Sequence, residues 1–114
     1  MANILDPELD ALAFVADYFK VLSELSRLRV LCCLRSGPRN VAEIVELTGL
    51  TQANTSKHLK VLSQAGMVLR QSQGTSAYYR IADPLIFELC ELISRRLSDR
   101  LERQQQVIAS LRDL

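Results

Sequence analysis

The break at Thr48-Gly49-Leu50-Thr51 constrains this chain more than any other feature of its 114 residues. Ahead of it, Val41, Ile44, Val45 and Leu47 recur at helical spacing behind Asn40, and Asn40 followed three residues later by Glu43 has the form of a capping box. Gly49 ends that helix. Behind the break, Thr51 sits where an N-cap belongs, and Gln52 to Gln64 reads as a helix with Thr55, Leu59, Leu62 and Ala65 turned inward. Helices this short are marginal alone in water, so the pair has to be held by packing.

The flanking segments supply that packing. Asp6-Pro7-Glu8 opens a first helix over residues 7–22, in which Leu9, Leu12, Phe14, Val15, Tyr18, Phe19 and Leu22 are apolar. A second helix is expected from Glu24 to Ser36, burying a stripe of Leu25, Leu28, Leu31, Cys32 and Leu34 before Gly37-Pro38 stops it. After Gly66, two short runs around Gln73-Gly74-Thr75 read as a hairpin over residues 67–82. Asp83-Pro84 then opens a last helix over residues 84–112, longer than a small core needs, with an apolar stripe that calls for a second copy. The expected fold is mainly α with a small β-hairpin: a winged helix-turn-helix of five helices and a two-stranded wing, forming one domain over residues 1–114. The helix-turn-helix occupies residues 41–64, and the first and last helices join a homodimer.

The charges point the middle of the chain at a polyanion. Lys and Arg number 14 against 13 Asp and Glu, yet no acid lies between Glu46 and Asp83, where Lys57, Lys60, Arg70 and Arg80 fall. Gln52, Asn54, Thr55 and His58 are candidates for reading base edges in a major groove, with Thr51, Ser56, Lys57 and Lys60 better suited to phosphates. The hairpin, with Gln73 and Thr75 at its tip and Arg70 and Arg80 flanking it, suits the minor groove or adjacent backbone. So few cations per chain imply that two copies bind duplex DNA together.

Composition narrows the classes. A hydrophobic content of 48% excludes a disordered scaffold, and no apolar run approaches the roughly 18 to 20 residues that cross a bilayer. Met1 to Asp10 lacks the pattern of a secretory leader, so a cytoplasmic location and no membrane partner are expected. An enzyme has little support: the one histidine, His58, has no carboxylate near it in sequence, and there is no glycine-rich phosphate loop. No cofactor is implied. A helical protein-interaction module without DNA binding is the rival from another class, since the terminal helices could serve a different partner.

Ser26-Arg27-Leu28-Arg29-Val30-Leu31, the helix from Val41 to Gly49, Thr51 through Leu62, Ala65-Gly66-Met67-Val68, and Gly74 to Arg80 together resemble the ArsR/SmtB family of arsenical-resistance and metallothionein repressors. The resemblance implies a homodimeric repressor that binds an inverted-repeat operator and leaves it when an inducer arrives. The family's Cys-x-Cys metal site on the third helix corresponds here to Asn40-Val41-Ala42-Glu43-Ile44, without thiols, and its zinc site on the last helix needs histidine, of which there is none after His58. No metal ligand set is expected at those positions.

The inducer must therefore be sought among Cys32, Cys33 and Cys90. Adjacent helical residues point about 100° apart, so a Cys32–Cys33 disulfide requires local distortion of its helix, which converts thiol oxidation into a shift of the reading head. Arg29 and Arg35 are placed to favour thiolate. The pattern resembles the thiol-based redox branch of the family, including members with vicinal cysteines. A persulfide sensor pairing Cys32 with Cys90, binding of trivalent arsenic or antimony, and three plain core residues are the alternatives.

Overall fold

A computed structural model describes residues 7–113, with side chains from Asp10 onward. The expected cap at Asp6 lies outside the described residues. In chain order the elements are α1 (Pro7–Leu22), α2 (Leu25–Cys33), β1 (Arg39–Asn40), α3 (Val41–Thr48), α4 (Gln52–Gln64), β2 (Val68–Gln73), β3 (Ser76–Ile81) and α5 (Leu85–Arg112). They form two compact units, Met1–Ala82 and Asp83–Leu114. None of the described helices is long and apolar enough to cross a membrane.

In the first unit α2, α3 and α4 pack on one another around Val30, Leu31, Leu34, Ile44, Leu59 and Leu62, all essentially inaccessible to solvent. Met67 and Val68 extend this core to the base of the hairpin. There the Met67 amide donates to the Leu62 carbonyl at 3.0 Å and the Ala82 amide to the Met67 carbonyl at 2.9 Å, fastening the ribbon to the end of α4. The hairpin is closed by Gly74-Thr75 between paired Gln73 and Ser76, and Gly74 carries the positive φ of 62° that the first residue of a II′ turn needs.

The turn between α3 and α4 is built as its residues require. Asn40 and Glu43 form the reciprocal capping box, and Gly49 ends α3 in the left-handed region at φ 72°, its amide donating to the Val45 carbonyl at 2.9 Å. Thr48 Oγ1 donates to the Ile44 carbonyl at 2.7 Å and accepts from the Leu50 amide at 3.3 Å; Thr51 Oγ1 accepts from the Asn54 amide at 3.1 Å and so caps α4. The amides of Gly49, Leu50 and Asn54 at this junction thus each have a local partner, and these short-range bonds shape the turn between the helices.

Three expectations are corrected. The helix α2 ends at Cys33 rather than Ser36, because the chain tightens there into three-residue turns: the Leu34 amide bonds the Leu31 carbonyl, Arg35 bonds Cys32, and Gly37 bonds Leu34. Leu25 and Cys32 are exposed, not buried, since the inward face of α2 is Val30-Leu31 continued by Leu34; Ala65 is exposed as well. The sheet has three strands in the order β1-β3-β2, not two, with Arg39 opposite Tyr79 and Asn40 opposite Tyr78. A two-residue strand carries no periodic signal, which is why β1 escaped the sequence pattern.

In the second unit, α5 opens as Asp83-Pro84 requires, Asp83 Oδ1 accepting from the Leu85 amide at 3.0 Å. Beyond it Leu92, Ile93, Leu97, Leu101, Val107, Ile108 and Leu111 are all exposed.

A left-handed Gly49 with open space around its Cα means that a side chain there suffers backbone strain alone. Gly49→Ala is expected to cost about 1 kcal/mol in denaturant unfolding and Gly49→Val more, with an unchanged dependence on denaturant.

Candidate nucleic-acid interface

The helix α4 is divided lengthwise by its packing. Thr55, His58, Leu59 and Leu62 point inward, at the i, i+3, i+4, i+7 spacing of one helical face, while Gln52, Asn54, Ser56, Lys57 and Lys60 are exposed. Thr51 is exposed at the amino end, its hydroxyl oxygen engaged as the cap. The outward side is thus a row of polar groups at the positive amino end of the helix followed by two ammonium groups along its middle, an arrangement matched to an anion-lined groove.

Two residues expected among the base readers lie elsewhere. Thr55 is fully buried, and its hydroxyl donates to the Thr51 carbonyl at 2.9 Å. His58 is only 7% exposed, with Nε2 3.4 Å from Glu24 Oε1 and Nδ1 buried without a hydrogen-bond partner among the described residues. Their polarity looked like reading chemistry in the sequence; the apolar neighbours that share their face, Leu59 and Leu62, were the signal that they turn inward.

His58 is the end of a polar chain. Glu24, which precedes α2, holds both His58 and Arg27, the latter at 2.8 Å, and Arg27 in turn donates through Nε to the Val21 carbonyl at 2.6 Å and through Nη2 to the Lys20 carbonyl at 3.3 Å. The carboxyl end of α1, the start of α2 and the middle of α4 are therefore joined through one carboxylate.

In the wing Arg70, Gln73, Thr75 and Arg80 are all exposed. Arg70 pairs with Tyr79 and Arg80 with Leu69, so the two arginines project from opposite faces of the ribbon. They bracket the wing rather than forming one patch.

The three cysteines are free thiols. Cys32 is exposed and Cys33 half-buried, at the last turn of α2; Cys90, half-buried, belongs to α5. Burial pushes the Cys33 thiol up from its ordinary value, against the pull of the Arg39 guanidinium and with a smaller push from Cys32. Arg39 is thus a cation that acts on Cys33. Its Nε also donates to the Cys33 carbonyl at 2.8 Å and its Nη2 to Ser36 Oγ at 3.1 Å, while its backbone sits in β1 opposite β3 of the wing. The sequence pattern gave no notice of this arginine, because its role depends on the short strand that carries it.

With this geometry in view, the comparisons with known proteins are decisive. The family model of bacterial regulatory proteins of the arsR family matches residues 25–69, the span from α2 to the first wing strand. The chain is 37% identical over 91 residues to the HTH-type transcriptional regulator Rv0081 of Mycobacterium tuberculosis, covering 75% of this chain and 80% of that one. This chain belongs to the ArsR family. It is also 32% identical over 85 residues to the arsenical resistance operon repressor of Bacillus subtilis, covering 68% of this chain and 80% of that protein. Among solved structures, the homodimeric winged helix-turn-helix DNA-binding domain of Mb0332 from Mycobacterium bovis superposes with a TM-score of 0.75 at 33% identity, covering 90% of this chain and 95% of that domain.

Within this ArsR-family chain, the Glu24 bridge is testable by itself. Glu24 is about half exposed, so Glu24→Ala is expected to cost only about 1 kcal/mol in denaturant unfolding. Glu24→Gln, which keeps polar oxygen near His58 Nε2 and Arg27, is expected to cost clearly less; equal losses would place the effect in the charge of the carboxylate rather than in its polar contacts.

Proposed function

We propose that this chain is a transcriptional repressor that binds an inverted-repeat operator in duplex DNA as a homodimer. The observation that carries the reading is the exposed side of α4, where Gln52 and Asn54 offer donors and acceptors to base edges while Lys57 and Lys60, with Ser56 and Thr51, meet phosphates. Arg70 and Arg80 on the two faces of the wing, and Gln73 and Thr75 at its tip, reach adjacent backbone or minor groove. Homodimerisation is supported by the apolar faces left open on α1, at Leu12, Phe14, Val15 and Phe19, and on α5, at Ile93, Leu97, Leu101 and Ile108. It is supported too by the homodimeric state of the similar Mb0332 domain.

The release we propose is oxidation of Cys32 and Cys33. Cys32 is open to an oxidant, and the adjacent, half-buried Cys33 supplies the second sulfur that captures its oxidised neighbour. The pair sits at the end of α2, where i→i−4 bonding gives way to three-residue turns, so closing a bond there disturbs few helical hydrogen bonds. The Cys33 carbonyl is tied by Arg39 to β1, which pairs with the wing and whose Asn40 caps α3. A movement at Cys33 therefore has a route to both DNA-contacting elements.

The reading is tested on an inverted-repeat duplex selected from random DNA. Lys57→Ala is expected to weaken operator and random duplex by the same factor and to reduce the salt dependence by about one ion per protomer. Asn54→Ala or Gln52→Ala is expected to cost about 1 to 3 kcal/mol on the operator and little on random duplex. The reverse pattern means that α4 is oriented differently in the groove. Peroxide is expected to release the operator from the wild type and not from Cys33→Ser; unchanged affinity after oxidation removes the redox reading, and release by arsenite alone replaces it with metalloid binding.

A further inference from the structure

The helix α2 has a second face. Leu25, Leu28, Arg29, Cys32 and Cys33 lie at i, i+3, i+4, i+7 and i+8, away from the Val30-Leu31 core face, and with Leu47 and Thr48 of α3 they line a groove of about 550 Å³. That volume lies within the range of small-molecule sites. Cys32 and Cys33, adjacent and so splayed, nonetheless both reach this one groove.

We propose that the groove binds an amphipathic organic hydroperoxide with an acidic head group, and that this molecule is the oxidant of Cys32. The proposal rests on the reading of Cys32 and Cys33 as a redox pair and names the substrate class of that site. Three features of the lining select the class. Leu25 and Leu47 are 63% and 56% exposed, leaving apolar wall beside the thiols that favours an alkyl chain and does nothing for hydrogen peroxide. Arg29 is the one charged residue of the lining and has no ion-pair partner among the described residues, so it is free to meet a carboxylate. Arg29 precedes Cys32 and Cys33 by three and four residues, about one turn, so the cation and both thiols line the same groove.

The chemistry balances. The Cys32 thiol gives up its proton, its sulfur attacks the terminal peroxide oxygen, and the O–O bond breaks. The alkoxide leaves and takes that proton to become the alcohol, so the hydroperoxide gains two electrons and Cys32 becomes a sulfenic acid. The Cys33 sulfur then attacks the Cys32 sulfur, and the departing hydroxide takes the Cys33 proton as water, leaving the disulfide. Occupancy and oxidation both act beside the reading head: Thr48, which lines the groove, bonds Ile44 and Leu50 and holds the turn that enters α4.

The test uses the full chain with linoleic acid hydroperoxide, cumene hydroperoxide and hydrogen peroxide, reading Cys32 oxidation by mass spectrometry and operator release in parallel. The fatty-acid hydroperoxide is expected to oxidise Cys32 at least about a hundredfold faster than hydrogen peroxide, the equivalent of burying three or four methylenes. Arg29→Ala is expected to shrink the advantage of the fatty-acid hydroperoxide over cumene hydroperoxide by about fivefold. Leu47→Gln is expected to lower both organic rates relative to hydrogen peroxide. Equal rates for all three oxidants, with release by each, overturn the groove and leave the redox reading standing. A second readout needs no oxidation: the matching hydroxy fatty acid is expected to slow iodoacetamide alkylation of Cys32 in the wild type and less so in Arg29→Ala. No protection, or a Cys32 already shielded because a second copy fills the groove, overturns the site whatever the redox result. Protection without oxidation by any of the three peroxides would overturn the redox reading and, with it, the named substrate class.

Discussion

The burial of one stripe of α4 is the constraint on which the rest depends. Leu59 and Leu62 have nowhere to go but the core shared with Ile44 and Leu31, and Thr55 and His58 come with them by helical spacing. Once that face is committed, the opposite face is forced outward, and its residues are Gln52, Asn54, Ser56, Lys57 and Lys60. Core packing thus chooses which side chains DNA can meet. The buried polar members of the stripe have local partners, Thr55 the backbone of Thr51 within the same helix and His58 the Glu24 carboxylate ahead of α2, and a roll of α4 would break the second of these contacts.

Much of this was legible before any coordinates. The helix boundaries at Pro7–Leu22, Val41–Thr48 and Gln52–Gln64 follow from caps and stop signals that act over three or four residues, namely Asn40 with Glu43, Gly49, Thr51 and Pro7. The hairpin was legible from Gly74 between two short runs. What escaped was non-local. Thr55 was expected both inward and among the base readers, and only its inward place holds; whether His58 faces DNA or the core depends on the side of α4 that α2 and α3 cover, and whether Cys32 is buried depends on which of two apolar faces of α2 meets them. Strand β1 exists only because β3 lies beside it, and with it went Arg39, the residue that joins Cys33 to the wing.

That link ties the end of α2 to the wing and to α3, and the proposed release from DNA runs through it. Arg39 bonds the last carbonyl of α2, the chain around it forms the edge strand of the wing, and the next residue caps α3. The helix-turn-helix and the wing therefore share one anchoring point, two residues from which lies the turn of chain that follows the vicinal cysteines. In the release proposed above, this anchoring point is where a change at the cysteines would reach the reading helix and the wing.

The orientation of α4 is the central claim, and the chain offers a direct probe of it because its lysines are Lys20 on α1 and Lys57 and Lys60 on α4. Acetylation rates of the three, measured by mass spectrometry with and without saturating inverted-repeat duplex, are expected to fall strongly at Lys57 and Lys60 and to stay unchanged at Lys20. Equal modification of Lys57 and Lys60 in the free and DNA-bound protein would contradict the account.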